Sequence, residues 1–165
     1  MPFWAKDLKI GSRMINAQSE TAATKPAFRS AWKSRRCLVV ADGFYEWPTR
    51  ETPRLITTKD NEPFAFAGLW EPWGPKDGDR TETFTILTCE PNEFMATIDN
   101  RMPVMLAQQD WPAWLCETSA SPEQLQSLCK PFPRERMILR AVTTRVGNVK
   151  NTDAGLVNPL PEVAE

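Results

Sequence analysis

The sequence contains no histidine, and this absence removes two common kinds of active site. Acid–base catalysis by an imidazole is excluded within these 165 residues. A zinc site with the usual ligands is also disfavoured, because the four cysteines, Cys37, Cys89, Cys116 and Cys129, include no CxxC pair. We therefore expect neither a metal nor a cofactor. Cys37 and Cys89 lie in apolar runs, which predicts packed thiols rather than nucleophiles.

Long apolar segments are also missing. No run approaches the roughly 20 apolar residues that cross a bilayer, and the first residues lack the apolar core of a signal peptide. Free thiols are typical of a reducing compartment. We therefore expect a cytoplasmic protein with no membrane partner.

The overall charge favours no particular class of partner. There are 20 Lys and Arg residues against 21 Asp and Glu residues, a net charge of −1. The distribution is uneven, because residues 1–36 hold eight basic and two acidic residues, whereas residues 42–99 hold five basic and twelve acidic ones. A basic segment can line a groove for a polyanion, since Lys and Arg that neutralise phosphates release counterions. A solvated surface without a ligand explains the same pattern.

The apolar pattern predicts a single α+β domain. A chain of this length, 41% apolar, can bury one sizeable core. Fifteen prolines exclude long helices. Short runs rich in apolar, β-branched or aromatic residues predict strands at 37–42, 64–70, 83–89, 103–106 and 137–142. The Gly- and Pro-containing stretch 71–82 predicts an exposed loop between two antiparallel strands.

Helices are predicted where proline can occupy a first turn. Ser121 and Gln124 have the spacing of a capping box, which predicts a helix through Cys129. Weaker candidates cover 26–33, 91–98 and 110–116. Strands mixed with short helices indicate an antiparallel or mixed sheet. We place the domain at 1–150 and a polar tail, an ordered crossing followed by a loose end, at 151–165.

Three segments carry candidate functional residues, and the first is the run around Asn16. Asn16, Gln18 and Glu20 alternate with small or apolar residues, so in an extended conformation their side chains would share one face. Such a row can bind a phosphate or sugar through amides while the carboxylate orients it. The polar face of an edge strand is the alternative interpretation.

The second segment surrounds Glu46, which lies among aromatic residues. A carboxylate that loses hydration there has a raised pKa, which suits a general acid or base near neutral pH. The alternative is an acceptor for a backbone amide or an arginine. Trp4, Tyr45 and Trp47 can stack on unpaired bases, although most of the seven tryptophans are expected in the core.

The third group consists of two loops. Asp99 and Arg101 follow a candidate helix and precede a strand, and an arginine there can hold a phosphate through two N–H groups. Near the end of the chain, Gly147 and Asn148 lie in a flexible segment whose backbone amides can meet an anion.

In order along the chain, these pieces resemble the SRAP family in four blocks: PFWAKDLKIGSRMINAQSETAATKPAFR, CLVVADGFYEWP, TIDNRMPVML and VTTRVGNVKN. The resemblance implies an α+β fold with a barrel-like centre and a positively charged channel for single-stranded DNA. It also implies a covalent crosslink to abasic sites, formed by a cysteine at the mature N-terminus. A terminal amine with a pKa of about 7.7–8.0 forms a Schiff base with the sugar aldehyde, and the adjacent thiol closes a ring.

By resemblance, the candidate residues receive roles. Asn16 would hold the abasic sugar or its phosphate, Glu46 would assist ring opening and proton transfer, and Arg101 would bind the DNA backbone. Trp4 and Trp47 would line the DNA channel. Gln18, Asp99 and Asn148 occupy positions in the same blocks, and we include Asp99 with the catalytic residues and Gln18 and Asn148 with those that bind DNA.

Three departures separate this chain from the family pattern. The opening block with the catalytic cysteine is absent, which suggests a truncated or divergent member. Gln18 stands where the family commonly has an arginine, and Asp99 where it commonly has a histidine, so phosphate contact and proton donation are weakened.

Three functions remain open on this basis. The first is a protein of the SOS response to DNA damage that binds single-stranded DNA without crosslinking, associated with the nucleoid. The second is an active peptidase or abasic-site lyase that uses Glu46 with another nucleophile, such as Pro2 after removal of Met1. The third is a non-catalytic interaction protein.

Overall fold

The computed structural model describes residues 1, 5, 7–75 and 78–161. Within these residues the chain forms nine strands: β1 Asn16–Gln18, β2 Arg36–Ala41, β3 Phe44–Glu46, β4 Arg54–Thr58, β5 Phe64–Trp73, β6 Thr81–Cys89, β7 Met102–Pro103, β8 Met105–Leu106 and β9 Met137–Ala141. The larger sheet has the order β1-β6-β5-β2, with β7 added to β6 and β8 to β5, and the smaller has the order β3-β4-β9.

All strand pairs are antiparallel except β1 with β6. The sheet curls into a half-barrel with few helices around it, which confirms the predicted single-domain α+β fold with a mixed, barrel-like sheet. Because β5 and β6 extend to Trp73 and from Thr81, the predicted loop at 71–82 is shorter, with only residues 74–80 between the strands. Among the described residues, no helix has the length and apolar character needed to cross a membrane.

The α-helices are short, as the many prolines predict. They are α1 Leu8–Gly11, α2 Ser19–Ala22, α3 Arg29–Ser34, α4 Trp111–Trp114 and α5 Pro122–Leu128, with single 3₁₀ turns at Met95–Thr97, Gln108–Asp110, Arg134–Arg136, Thr144–Gly147 and Ala154–Val157. The predicted capping box is present at α5. Ser121 Oγ accepts the Gln124 N–H at 3.2 Å, and the Ser121 N–H donates to Gln124 Oε1 at 2.7 Å. The candidates at 26–33 and 110–116 shrink to α3 and α4, and 91–98 forms only a 3₁₀ turn.

The helices α3 and α4 close the core on one face of the large sheet. The Trp32 and Trp114 rings meet edge to face at 5.6 Å, and the Trp114 Nε1–H donates to the Cys37 carbonyl at 3.0 Å. An aromatic pair of this kind contributes about 0.5–1.5 kcal/mol beyond the burial of its area. Because the indole N–H has a partner, Trp114 can be fully buried without the cost of an unpaired donor.

Two strand predictions were imprecise. The run 103–106 is divided at Val104, whose N–H donates to the Leu87 carbonyl and whose carbonyl accepts the Ala67 N–H, both at 2.9 Å. One residue thus links two neighbouring strands, so β7 pairs with β6 and β8 with β5. The extended row at 16–20 is wrong for Glu20, because the strand ends at Gln18 and α2 begins at Ser19.

The end of the chain remains close to the small sheet as far as it is described. The Leu160 N–H donates to the Ala141 carbonyl at 2.8 Å, and Asp153 caps the 3₁₀ turn Ala154–Val157. Residues 162–165 lie outside the described residues. The domain boundary at 150 and the loose tail therefore stay predictions.

Candidate functional site

A cavity of about 410 Å³ lies between the large sheet and β3. Four polar residues that the sequence analysis singled out in separate segments line it together: Asn16, Glu46, Asp99 and Arg101. They come from β1, β3 and the loop before β7, so only the tertiary fold brings them together. This convergence distinguishes the cavity from the rest of the surface.

The sheet register explains why these side chains meet. Along β6, Ile86 and Thr88 line the cavity, whereas Leu87 between them is fully buried in the core. Asn16 pairs with Ile86 in the parallel register, so it shares that face of the sheet. The Phe44 and Phe66 rings meet at 5.7 Å and hold β3 over the same face.

Glu46, the last residue of β3, is half-buried at the cavity wall. Burial raises the pKa of its carboxyl, and the negative charge of Asp99 raises it further, while a hydrogen bond with the Trp47 backbone acts in the opposite direction. None of the ion pairs among the described residues includes Glu46. A carboxyl with a raised pKa and no cationic partner can hold and donate a proton closer to neutral pH than an ordinary glutamate.

Arg101 is held by two neighbouring elements. Its Nη1 and Nη2 donate to the two carboxylate oxygens of Glu20 at 2.9 and 2.8 Å. Nη2 also donates to the Thr88 carbonyl at 2.6 Å, and Nε donates to Thr88 Oγ1 at 3.4 Å. The backbone N–H of Arg101 donates to Asp99 Oδ1 at 2.9 Å. The two-pronged face predicted to hold a phosphate is therefore occupied by Glu20.

Of the other candidates among the described residues, Tyr45 also lines the cavity, whereas Gln18, Trp47 and Asn148 do not. Gln18 is exposed on β1, next to the site, and Asn148 is exposed in the loop after Thr144–Gly147. Trp47 is 40% exposed directly after Glu46, with its ring 6.2 Å from that of Tyr45. Trp4 lies outside the described residues. Their proposed contacts with DNA stay predictions.

No cysteine lines this cavity. Burial raises the pKa of the Cys37 thiol, that of Cys89 to about 11 and that of Cys129 to about 12, so these three are packed thiols rather than thiolate nucleophiles. The described residues also contain no group of three or more Cys, Asp or Glu side chains that could hold a metal ion.

A larger cavity, of about 530 Å³, lies near α3 and the loop between α4 and α5. Its main cation, Arg36, is bound to protein atoms. Nε donates to the Trp114 carbonyl at 2.6 Å, Nη1 to the Trp32 carbonyl at 2.7 Å, and Nη2 to the Cys116 sulfur at 2.8 Å.

Comparison with known proteins identifies one family. The sequence profile of the family described as SOS response associated peptidase (SRAP) matches residues 1–149. The abasic site processing protein YoaM of Bacillus subtilis is 45% identical over 162 residues, which cover 96% of this chain and 71% of that protein. YoqW of the same organism, also named an abasic site processing protein, is 42% identical, with 95% of this chain and 72% of that protein covered. A crystal structure of a protein from Bacteroides thetaiotaomicron matches with a TM-score of 0.85 at 31% identity, covering 97% of this chain and 73% of that one.

Proposed function

This chain belongs to the SRAP family, and on that premise we propose that it recognises single-stranded DNA at abasic sites, with the base-free sugar in the cavity around Glu46. The convergence of Asn16, Glu46, Asp99 and Arg101 on one cavity is the observation that carries the proposal. Several relatives are named abasic site processing proteins, which supports DNA containing such sites as the ligand.

The chemistry of the cavity suits a deoxyribose without its base. Phe44, Ile86 and Pro103 supply apolar walls for the carbon skeleton of the sugar. Asn16 offers an amide that both donates and accepts, which matches hydroxyl and aldehyde oxygens. An intact nucleotide has a base that occupies the space next to the sugar, so walls on several sides of the sugar favour the abasic form.

Glu46 is the proton donor in this proposal. The sugar of an abasic site interconverts between a closed hemiacetal and an open aldehyde, and ring opening requires a proton on the departing ring oxygen. A glutamic acid whose pKa is raised by burial is more often protonated near neutral pH than an exposed one. Glu46 therefore gives its proton to the ring oxygen as the bond between that oxygen and C1′ breaks. The anomeric hydroxyl returns a proton to the Glu46 carboxylate as it becomes the aldehyde, so the step balances.

Asp99 acts on the proton transfer indirectly, through the loop and through its charge. Its carboxylate accepts the Arg101 backbone N–H, which fixes the loop, and its negative charge helps keep the proton on Glu46. This differs from the histidine that the family pattern places here, because a carboxylate cannot itself supply a proton at neutral pH. The proposal thus assigns proton donation to Glu46 alone.

The test is binding of the purified chain to three 15-nucleotide single strands of one sequence. One is intact, one contains a natural abasic site, and one contains a tetrahydrofuran abasic analogue, which cannot open to an aldehyde. We expect both abasic strands to bind more tightly than the intact strand. Glu46→Gln should lose the difference between the natural site and the analogue, since that difference depends on ring opening.

Equal affinity for all three strands would contradict the proposal. A denaturing gel of the same mixtures detects covalent products. A covalent band that disappears in Glu46→Gln would instead favour an abasic-site enzyme with another nucleophile. The same proposal implies action in the cytoplasm, at damaged DNA of the nucleoid.

A further inference from the structure

Arg101 has little capacity left for a ligand. A guanidinium has five N–H donors, and four of those of Arg101 are engaged: two by the Glu20 carboxylate, one by the Thr88 carbonyl and one by Thr88 Oγ1. The fifth, on Nη1, is the one for which the described residues provide no acceptor. A phosphate can therefore take at most one N–H of Arg101 unless Glu20 is displaced.

Glu20 also offsets the positive charge of Arg101 at close range, with Arg101 Nη2 2.8 Å from Glu20 Oε2. Among the described residues, Arg101 is the only cation that lines the cavity, and Glu46 and Asp99 are both acidic. Hydrogen bonds from Arg101 lower the pKa of Glu20, so Glu20 is ionised at neutral pH. The two acidic residues already offset the charge of Arg101, and Glu20 adds a further negative charge in direct contact with the guanidinium.

Every nucleotide of a DNA strand carries a phosphate, whether or not its base is missing. An arginine free to hold phosphates in two-pronged geometry strengthens binding to intact and abasic strands alike. Specificity is a difference between two affinities, and it rises when the shared contact is suppressed.

Resting on the proposed function, we infer that Glu20 is a specificity-determining residue. It occupies the guanidinium of Arg101, so that the cavity accepts a neutral sugar and does not capture the backbone phosphates of intact DNA. Arg101 in turn acts as a wall of the cavity, fixed by Glu20 and Thr88, with a single N–H for the ligand.

The exposure of the pair makes the inference testable. The side chains of Arg101 and Glu20 are 26% and 48% exposed. Exposed ion pairs contribute about 0.2–1 kcal/mol to stability. Replacement of Glu20 should therefore leave the fold intact, which thermal unfolding checks.

The experiment compares Glu20→Gln with Glu90→Gln. Glu90 is exposed and lies close enough to Arg101 to influence its pKa, but it makes no hydrogen bond to it among those of the described residues. The two variants thus remove the same charge, and only Glu20→Gln takes one of the two acceptor oxygens away from the guanidinium. Affinities for the intact and abasic 15-nucleotide strands are measured between about 20 and 200 mM salt.

We expect Glu20→Gln to bind the intact strand about threefold to fivefold more tightly at low salt, as one additional exposed charge contact gives. The slope of log affinity against log salt should steepen by about 0.7, the value for one more phosphate contact on a single strand. The preference for the abasic strand should fall by the same factor. Unchanged slope and preference, or equal changes in Glu90→Gln, would overturn the inference.

A second readout does not need DNA. In a ¹⁵N NMR titration with inorganic phosphate, the Arg101 Nε–H signal should shift in Glu20→Gln and stay in place in the original chain. The signal itself should be absent when Arg101→Gln is added to Glu20→Gln, which assigns it to Arg101. If the chain binds no abasic DNA and this response still appears, the proposed function fails, and only the exclusion of phosphate from Arg101 by Glu20 stands. Without the response, the role of Glu20 is refuted.

Discussion

Two cavities of this protein differ in how their charged groups are used. The larger one, of about 530 Å³, contains Arg36, whose donors are bound to three backbone carbonyls and a sulfur. The smaller one, of about 410 Å³, contains Glu46, a half-buried carboxyl in none of the ion pairs of the described residues. Arg36 therefore maintains the fold, whereas Glu46 is available to a ligand.

The difference shows that a cavity's size does not identify the site. Partly buried polar groups normally have partners, because an unpaired one is costly. When a carboxyl with a pKa raised by burial and by a second carboxylate is ionised, it lowers the stability of the folded chain. Such a loss is typical of functional sites, where strain or an unfavourable charge is tolerated for binding or chemistry.

The comparison predicts that the largest effect on stability comes from Arg36. Arg36→Ala leaves the Trp114 and Trp32 carbonyls without their donor and removes a cation–π contact of 5.6 Å with the Trp114 ring. We expect a loss of about 2 kcal/mol in the free energy of unfolding, measured by urea denaturation. Arg29→Ala, an exposed arginine on α3, serves as the control and should change little. If folded Arg36→Ala showed a changed preference for abasic over intact DNA, the assignment of Arg36 to the fold and Glu46 to the ligand would be wrong.

Glu46→Gln should have the opposite profile. The amide keeps the size of the side chain and cannot act as a carboxylic acid, so the preference for a natural abasic site over the tetrahydrofuran analogue should fall by about tenfold, less than the roughly 10²–10⁴-fold that proton transfer contributes to a reaction rate. Stability should not decrease. Glu51→Gln, an exposed glutamate beyond β3, is the matched control. If both variants retain the preference, Glu46 is not the proton donor.

The sequence predicted most of the large sheet because its longer strands are rich in apolar, β-branched or aromatic residues. It missed β3 and β4, since Phe44–Glu46 is only three residues long and Arg54–Thr58 mixes apolar with polar residues. The pairing of β3, β4 and β9 depends on contacts distant in sequence, with Glu46 opposite Arg54 and Arg54 opposite Ala141. Local patterns carry no information on such pairs.

The site was partly predictable from residue types. Asn16, Glu46, Asp99 and Arg101 could each be chosen because they are polar residues in apolar or loop surroundings, and the family resemblance joined them. The partner of Arg101 could not be predicted. The sequence pattern puts Glu20 in an extended row with Asn16 and Gln18, whereas in the structure Glu20 lies on α2, and the helix brings its carboxylate to Arg101. The polar pattern did mark Glu20 as a candidate residue. It could not show that the chain changes from strand to helix at Ser19, which determines the direction of the Glu20 side chain.

Trp47 provides a smaller effect outside the cavity. It is exposed next to Glu46, and a base neighbouring the abasic site can stack on its ring. Trp47→Ala should weaken binding of intact and abasic strands alike by about 1 kcal/mol, or roughly fivefold. Phe84→Ala is the control, because Phe84 is also an exposed aromatic residue, at 56%, and does not line the Glu46 cavity. Equal losses in both variants would point to a general apolar effect rather than a platform beside the site.

The smallest predicted effect is the pH dependence of stability at Glu46. Its pKa is higher in the folded chain than in the unfolded one, so the folded chain binds the proton more tightly. Stability from this group is complete below the ordinary glutamate pKa of about 4.3 and is lost as the pH rises through the raised pKa. Glu46→Gln avoids this loss, so its stability relative to the original chain should grow with pH.

Because Glu46 is only half-buried, screening limits the gain to about a few tenths of a kcal/mol. Urea denaturation at several values between about pH 4 and pH 8 measures it. Asp99→Asn should reduce the pH dependence without removing it, since burial is the larger cause of the shift and the Asp99 charge the smaller. A stability difference between Glu46→Gln and the original chain that stays constant over this range, or that shrinks as the pH rises, would mean that Glu46 is paired in solution. Glu46 would then be bound to protein groups, as Arg36 is, and the two cavities would no longer differ in how their charged groups are used.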